Sequence, residues 1–424
     1  MTKRHSVSER NIEELGITAA SHIIRPMTPP ATPLPPSPDS FSILTPSPSS
    51  SGASSSIAPL RQSHSRSNSI HENVHVMIRC RPPTLKEQEL DEELTWIMRP
   101  ENGTVELAKQ NAANPKVFQF DSVAFGVRNS AVYNAGVRDL VRSTMAGYNG
   151  TVFAYGQTAS GKTHTMVVQN ESHGQNTGTS EEPGVIPQAV TEVFAYIEED
   201  PEREFMLRVS YLEIYNEQIR DLLASENKRL EICEDKKRGV HVKDLREIIV
   251  TSPQSVMEII KGGEEKRHIS ATDFNAVSSR SHTVFQMVIE SKGKDTYVPV
   301  KVSQLSLIDL AGSEKMTSDT ERRKEGAYIN KSLLTLGTVI SKLTSQGASH
   351  IPFRDSKLTR ILQTALSGNA RISVICTINP TKASKDESMN TLRFAERVKL
   401  VKTAAKMTKV VIIFPDPDKL THIV

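Results

Sequence analysis

Apolar residues are unevenly distributed along this chain, and the pattern changes abruptly near residue 73. Before that point, Met27 to Ser56 alternates Pro, Ser and Thr with almost no periodic apolar position. Such a segment buries too little apolar surface to offset the entropy lost on ordering it. The pattern therefore predicts a disordered Ser/Pro-rich extension over residues 1–72.

From residue 73 to about residue 405, short strand patterns alternate with helical ones, which predicts an α/β layered fold. The predicted strands are His75–Cys80, Thr151–Tyr155, Phe205–Tyr215 and a hairpin of Ser281–Glu290 with Val298–Leu310. Apolar residues at helical spacing predict a helix over Ile329–Leu343. No internal repeat or sustained heptad is present, so no dimerising coiled coil is expected in these residues.

Composition narrows the function classes. The 424 residues are 37% hydrophobic, enough for a large core, and the net charge of +3 argues against a global nucleic-acid-binding field. The three widely spaced cysteines suggest neither a disulfide framework nor a zinc site, which fits a reducing, cytosolic setting. No signal peptide is visible, and the C-terminal apolar run Val410–Phe414 is too short to span a bilayer, so we expect a soluble protein.

The strongest local motif has the form G-x-x-x-x-G-K-[ST] and follows the predicted strand Thr151–Tyr155. Its glycines let backbone N–H groups approach phosphate oxygens, its lysine places a cation on the terminal phosphates, and its threonine hydroxyl suits Mg²⁺. The motif predicts a phosphate cradle, formed by Gly156, Gln157, Thr158, Ala159, Ser160, Gly161, Lys162 and Thr163.

This loop alone leaves an ATP-driven motor, a GTPase switch and another ATPase open. A GTPase normally reads guanine with N-K-x-D, and the one similar string, Asn330-Lys331-Ser332-Leu333, lacks the aspartate. The sequence therefore favours ATP.

Two further strings complete the predicted site. Asp309 follows the apolar run Leu305–Ile308, as a Mg²⁺-holding aspartate requires, and Gly312 offers an unobstructed N–H to a terminal phosphate. The polar string Asn275–His282 supplies hydroxyls for metal and phosphate, and its Arg280 could pair with Glu314 in a closed state.

Together, these strings resemble the P-loop, switch I and switch II of kinesin motor domains. Further strings agree: Arg79-Cys80-Arg81-Pro82, Ser210–Glu217, Ile329–Leu333 and His350–Thr359. The leader and Arg323–Gly326 look most like the kinesin-7 (CENP-E-like) group. The resemblance implies a P-loop NTPase kinesin motor fold over 73–402, with a central mixed sheet flanked by helices on both faces. Residues 403–424 would be a neck-linker-like segment and an atypical tail.

The resemblance also implies roles for individual residues. Beside the P-loop, the nucleotide would contact Arg79, Arg81, Pro82 and His164. Asn275, Ser278 and Ser279 would close over the γ-phosphate, and Arg280 and Glu314 would form a salt bridge that helps to order the attacking water. Mg²⁺ would be held by Thr163, Ser279 and Asp309.

Mechanical output would come from a helix starting near Tyr328, which tilts when the contact at Gly312 is lost, and from the neck after a closing helix, Ser388–Val401. A neck behind the motor resembles plus-end-directed kinesins. The partner would be the microtubule in the cytoplasm. The predicted contacts are Lys331, Arg354, Lys357 and Arg360, and Lys236–Arg238 and Arg322–Lys324 are further basic candidates.

Two other functions are weighed against the motor. A microtubule-binding protein with a silent ATPase is disfavoured by the intact P-loop and switch residues. A microtubule-depolymerising kinesin needs a basic neck before the motor, and residues 57–72 carry only Arg61 and Arg66. Pro415 and Pro417 break any helix in the tail, which leaves two-headed stepping in doubt for this chain.

Overall fold

A computed structural model describes residues 69–108, 116–126, 128–167, 182–226, 228–235, 239–269, 279–294, 300–314, 320–345, 347 and 350–410. The predicted disorder of 1–68 and the tail 411–424 lie outside the described residues. The predicted boundary at residue 73 is corrected, because a strand already begins at Ser69.

The strands are β1 Ser69–Asn73, β2 His75–Cys80, β3 Trp96–Arg99, β4 Thr104–Leu107, β5 Val117–Gln119, β6 Ser122–Phe125, β7 Gly150–Tyr155, β8 Arg203–Tyr215, β9 Gln218–Asp221, β10 Arg229–Leu230, β11 Ile232–Asp235, β12 Gly239–Val242, β13 Ile248–Val250, β14 His282–Gly293, β15 Val300–Asp309, β16 Arg371–Ile378, β17 Lys402–Lys406 and β18 Lys409–Val410. The helices are α1 Leu85–Glu89, α2 Asn129–Gly136, α3 Arg138–Met145, α4 Lys162–Met166, α5 Val185–Glu199, α6 Pro253–Ile269, α7 Thr320–Thr344, α8 Lys357–Ile361 and α9 Lys385–Lys399.

The central sheet is mixed, as predicted, with the main order β10-β9-β8-β14-β15-β7-β16-β2-β6. Strands β15, β7, β16, β2 and β6 run parallel to one another, whereas β9, β8, β14 and β15 are antiparallel neighbours. The parallel register pairs Asp309 with Ala154, so the carboxyl ends of β15 and β7 meet at one edge. Ligands of open α/β sheets bind at such an edge.

Two apolar cores lie on the two faces of the sheet, which confirms the predicted layers. One core takes Leu336 and Val339 from α7 and Phe394 from α9. The other takes Val193 from α5 and Val256 from α6. Among the described residues, no helix is long and apolar enough to cross a membrane.

The observed boundaries correct two predictions. Helix α7 begins at Thr320 and not near Tyr328, because the polar string Glu321–Glu325 consists of good helix formers that carry no apolar period. The closing helix α9 begins at Lys385 and ends at Lys399 rather than covering Ser388–Val401. The predicted hairpin is confirmed as β14 and β15, with Thr283 opposite Asp309.

Strand β1 lies apart from the central sheet and pairs with β17, in antiparallel register from Ser69–Lys406 to Asn73–Lys402. Both carboxylate oxygens of Glu72 accept from the Arg371 guanidinium, at 2.5 and 3.0 Å. This ion pair ties the two-stranded sheet to the start of β16.

Candidate functional site

The predicted phosphate cradle is the loop between β7 and α4. A Cβ at Gly156 would lie 2.2 Å from the Thr377 carbonyl oxygen, so the loop runs directly against β16. Gly161 has φ +98° immediately before α4, a conformation that other residues rarely adopt. Glycine is therefore required at both ends of the loop, one for close approach and one for backbone geometry.

Arg81 supports this loop from outside. Its Nε donates to the Ala159 carbonyl at 2.8 Å, and its two Nη atoms donate to both carboxylate oxygens of Glu87 at 2.7 Å. Hydrogen bonding to Arg81 lowers the pKa of Glu87 to about 2. The described contacts of Arg81 thus hold the loop in place, and the nucleotide contact that the resemblance implies stays a prediction.

Arg79 is directed into the protein. Its side chain is buried, and its Nη1 donates to Asn129 Oδ1 at 2.5 Å and to Thr165 Oγ1 at 2.8 Å. These bonds tie β2 to α2 and α4. His164 and Pro82, the other residues expected beside the base, are exposed. The implied adenine contacts of all three stay predictions.

Thr163 and Asp309, two of the residues predicted to hold Mg²⁺, are in direct contact. Thr163 Oγ1 donates to Asp309 Oδ2 at 2.6 Å, and Lys162 Nζ donates to the Gln157 carbonyl at 2.9 Å. Burial raises the pKa of Asp309, although the cations of Arg267 and Lys162 oppose this. Asp309 Oδ1 is buried and has no hydrogen-bond partner among the described residues. Asp309 Oδ1 and the neighbouring Thr163 hydroxyl are oxygen ligands of the kind that Mg²⁺ prefers, so these two residues fit a bound Mg²⁺.

Residues after Asp309 meet the cradle and the end of the Asn275–His282 string. Gly312 N donates to the Ser279 carbonyl at 2.9 Å, and Ser313 N donates to the Gly156 carbonyl at 3.0 Å. Thr158 donates to Glu314 from its N at 2.8 Å and from its Oγ1 at 2.5 Å. Three segments that are distant in sequence therefore join at one point.

Both oxygens of Glu314 accept from Thr158, at its N and its Oγ1. The salt bridge between Arg280 and Glu314 that the resemblance implies stays a prediction. Asn275 and Ser278 lie outside the described residues. Their predicted roles, and that of Ser279 at the metal, stay predictions.

Arg267 was missed by sequence reasoning. Its side chain is 1% exposed on α6, its Nη1 lies 4.0 Å from Asp309 Oδ2, and its Nε donates to Ser281 Oγ at 3.3 Å. It is therefore a buried cation next to the predicted metal-holding carboxylate. The charged run Glu264–Arg267 gave no signal that this member points inward.

The four predicted filament contacts lie around α7 and α8. Lys331 is exposed, and so is Arg354, at 78%. Arg360 is only 13% exposed, and its Nη2 donates to Glu234 Oε2 at 2.6 Å, so much of its charge is already paired. The Lys357 backbone N donates to Glu217. Lys236–Arg238 lies outside the described residues, as do the side chains of Arg322–Lys324.

Comparison with known proteins gives concordant results. The family model described as "Kinesin motor domain" matches residues 79–401. The chain is 48% identical over 347 residues to "Kinesin-like protein KIN-7E, chloroplastic" of Oryza sativa subsp. japonica, covering 80% of this chain and 29% of that protein. It is 47% identical over 378 residues to "Kinesin-like protein KIN-7K, chloroplastic" of Arabidopsis thaliana, covering 86% of this chain and 37% of that protein.

A solved structure is also similar, titled "Structure of a fast kinesin: Implications for ATPase mechanism and interactions with microtubules". The TM-score is 0.73 at 38% identity, with 83% of this chain and 97% of that chain covered. The present chain spans less than two-fifths of the two plant relatives.

Proposed function

The chain belongs to the kinesin motor domain family, in its kinesin-7 group, and from this we propose that it hydrolyses ATP and couples turnover to movement along microtubules. The observation that carries the proposal is the junction of three segments at one point. Thr163 contacts Asp309, Thr158 contacts Glu314, and Gly312 contacts the Ser279 carbonyl. We propose that nucleotide binding and release rearrange the contacts at this junction.

The chemistry is positioning and charge neutralisation. Lys162, within reach of the loop carbonyls, is the cation available to the terminal phosphates. Mg²⁺, when bound, neutralises charge on the β- and γ-phosphates, and Thr163 and Asp309 are the residues that would hold it. Gly312 would exchange its bond to Ser279 for one to the γ-phosphate. Arg280 and Glu314 would then pair and help to position the attacking water.

The packing of the C-terminal segment supports a mechanical output. After α9, β17 pairs with β1 and β18 pairs with β15. Between them, Thr408 N donates to the Gly147 carbonyl at 3.1 Å, and Val302 N donates to the Thr408 carbonyl at 3.2 Å. We propose that residues 403–410 act as the neck linker, docked along the sheet, and that movement is directed towards plus ends.

Two alternatives remain from the sequence. A silent binder would keep the filament surface but not turn over ATP, and a depolymerase would shorten filaments. The assembled Thr163–Asp309 pair favours an active ATPase over the first. Cytoplasmic localisation stays a prediction, because the two plant relatives named above are described as chloroplastic.

One assay series tests the proposal. ATP turnover is measured with and without stabilised microtubules for the wild type and for Lys162→Ala, with the exposed α6 variant Lys261→Ala as a matched control. We expect strong stimulation for the wild type and the control, and none for Lys162→Ala. Gliding of polarity-marked filaments reads the direction. Turnover that ignores microtubules would refute the motor, and filament shortening would favour the depolymerase.

A further inference from the structure

His282 is a buried side chain, 2% exposed, at the first position of β14. Both ring nitrogens have partners: the Ala311 backbone N–H donates to Nδ1 at 2.9 Å, and Nε2 lies 2.8 Å from Ser332 Oγ. Each partner belongs to a different element, the segment after β15 and the helix α7. One imidazole therefore bridges the segment after β15 and the helix α7.

The bonding fixes the chemical form of the ring. Nδ1 must present a lone pair to the Ala311 N–H, so Nε2 carries the proton and donates to Ser332 Oγ. Burial, with smaller contributions from Lys162 and Arg267, lowers the pKa of His282 to about 3. The ring is neutral at physiological pH and keeps one tautomer, so it is a fixed connection and not a proton shuttle.

The two ends of the bridge lie at informative places. Ala311 sits between Asp309, which is bonded to Thr163, and Gly312, which is bonded to the Ser279 carbonyl. Ser332 lies in the described part of α7, next to Leu333 and one turn before Leu336, both of which pack into the core. A shift of the segment 309–314 would pull on the Ala311 N–H and, through the rigid ring, on α7.

We propose that His282 is a positioning residue that couples the segment Asp309–Glu314 to helix α7. If that segment moved and the ring did not follow, a buried donor or acceptor would lose its partner, which is unfavourable in a protein interior. The two parts are therefore expected to move together. The inference rests on the proposed function, since the movement is assigned to nucleotide turnover.

The first test removes the hydroxyl at the α7 end with Ser332→Ala, and Ser341→Ala, an exposed position on the same helix, is the matched control. We expect basal ATP turnover to stay within about twofold of the wild type. Microtubule-stimulated kcat should fall about fivefold or more, because the coupling between the segment Asp309–Glu314 and α7 is lost. The microtubule concentration that gives half-maximal stimulation should change little. Ser341→Ala should behave as the wild type.

The second test removes the ring. Asn at position 282 can offer an acceptor near the position of Nδ1 but cannot reach Ser332, so His282→Asn should reproduce the loss of stimulation. The double variant His282→Asn with Ser332→Ala should be no worse than either single variant, because both remove the same bridge. Thermal unfolding of each variant checks that the fold is intact.

A third measurement needs no filament. Hydrogen exchange of α7 is compared between ADP and a non-hydrolysable ATP analogue. We expect a nucleotide-dependent difference in the wild type that Ser332→Ala abolishes. If this exchange pattern is observed but microtubules do not stimulate ATP turnover, the coupling is supported and the proposed motor function is refuted. Stimulation and exchange differences that survive in both folded variants would overturn the coupling and leave the motor intact. A wild type without the exchange difference would overturn the coupling too.

Discussion

Acidification should destabilise this protein, in part because of His282. Replacing His282 with a residue that does not titrate should remove that part of the destabilisation. The folded ring has a pKa of about 3, whereas an ordinary histidine titrates near 6.5. Between these values the unfolded chain binds the proton and the folded chain does not. The stabilising contribution of the neutral ring is therefore complete above pH 6.5 and is lost as the pH falls towards 3.

The size of the effect follows from the two pKa values. At pH 5, protonation of the unfolded histidine should lower the free energy of unfolding by about 2 kcal/mol relative to pH 7.5. His282→Asn cannot titrate there. The variant should start about 1–3 kcal/mol less stable at pH 7.5, because its bond to Ser332 is lost. The gap between the two proteins should then close by about 2 kcal/mol at pH 5.

Urea unfolding at pH 7.5 and pH 5, followed by circular dichroism, measures this gap. His350→Asn, which replaces an exposed histidine, is the matched control. At each pH the other titratable groups contribute nearly equally to the two proteins. Their contributions therefore largely cancel in the difference in unfolding free energy between wild type and variant. A gap between wild type and His282→Asn that is the same at both pH values would show that His282 is not held neutral by its burial, and the reasoning would fail.

Three further results are expected. Gly312→Ala would place a Cβ 2.3 Å from Thr158 Oγ1 and 2.4 Å from Glu314 Oε2, so turnover should fall about 100-fold while the thermal midpoint changes little; turnover near the wild-type rate would contradict this. Arg371→Ala removes the partly exposed ion pair with Glu72, so exchange of β1 amides should quicken about fivefold with basal turnover unchanged, which mass spectrometry can read. Raising the salt from about 0.05 to about 0.15 M should increase the microtubule concentration needed for half-stimulation, and an unchanged value would argue against a basic filament surface.

Local sequence patterns predicted those strands and loops that depend mainly on residues close by in the sequence. The strand β2 matches its predicted bounds because Pro82-Pro83 ends it, and the hairpin of β14 and β15 follows from two long apolar runs. The glycine motif lies in the loop between β7 and α4, as its flanking patterns predicted, because its glycines serve a backbone geometry that the motif encodes. Phosphate binding by this loop stays a prediction. The family resemblance then supplied the mixed central sheet, which the strand order confirms.

What was missed depends on partners far along the chain. Ser69–Asn73 carries no strong strand pattern, and it is a strand because it pairs with Lys402–Lys406. The bonds that Arg79 donates to Asn129 and Thr165 were not predicted either, and its implied contact with the base stays a prediction. The spacing of apolar residues along the sequence does not predict such contacts between distant residues. Arg267 was hidden for a similar reason, since its burial follows from how α6 packs over the sheet.

The register of β1 on β17 has a consequence for how the fold would yield under load. A pull on the residues after Lys406 would first open the two residue pairs of β18 and the two backbone hydrogen bonds of Thr408. It would then meet the Ser69–Lys406 pair at the end of the ladder. From there the residue pairs of the two-stranded sheet would separate one after another towards Asn73. Near that end, the ion pair with Arg371 anchors Glu72. Resistance would thus rise late, near the anchor, and a partly peeled ladder could close again from its intact end.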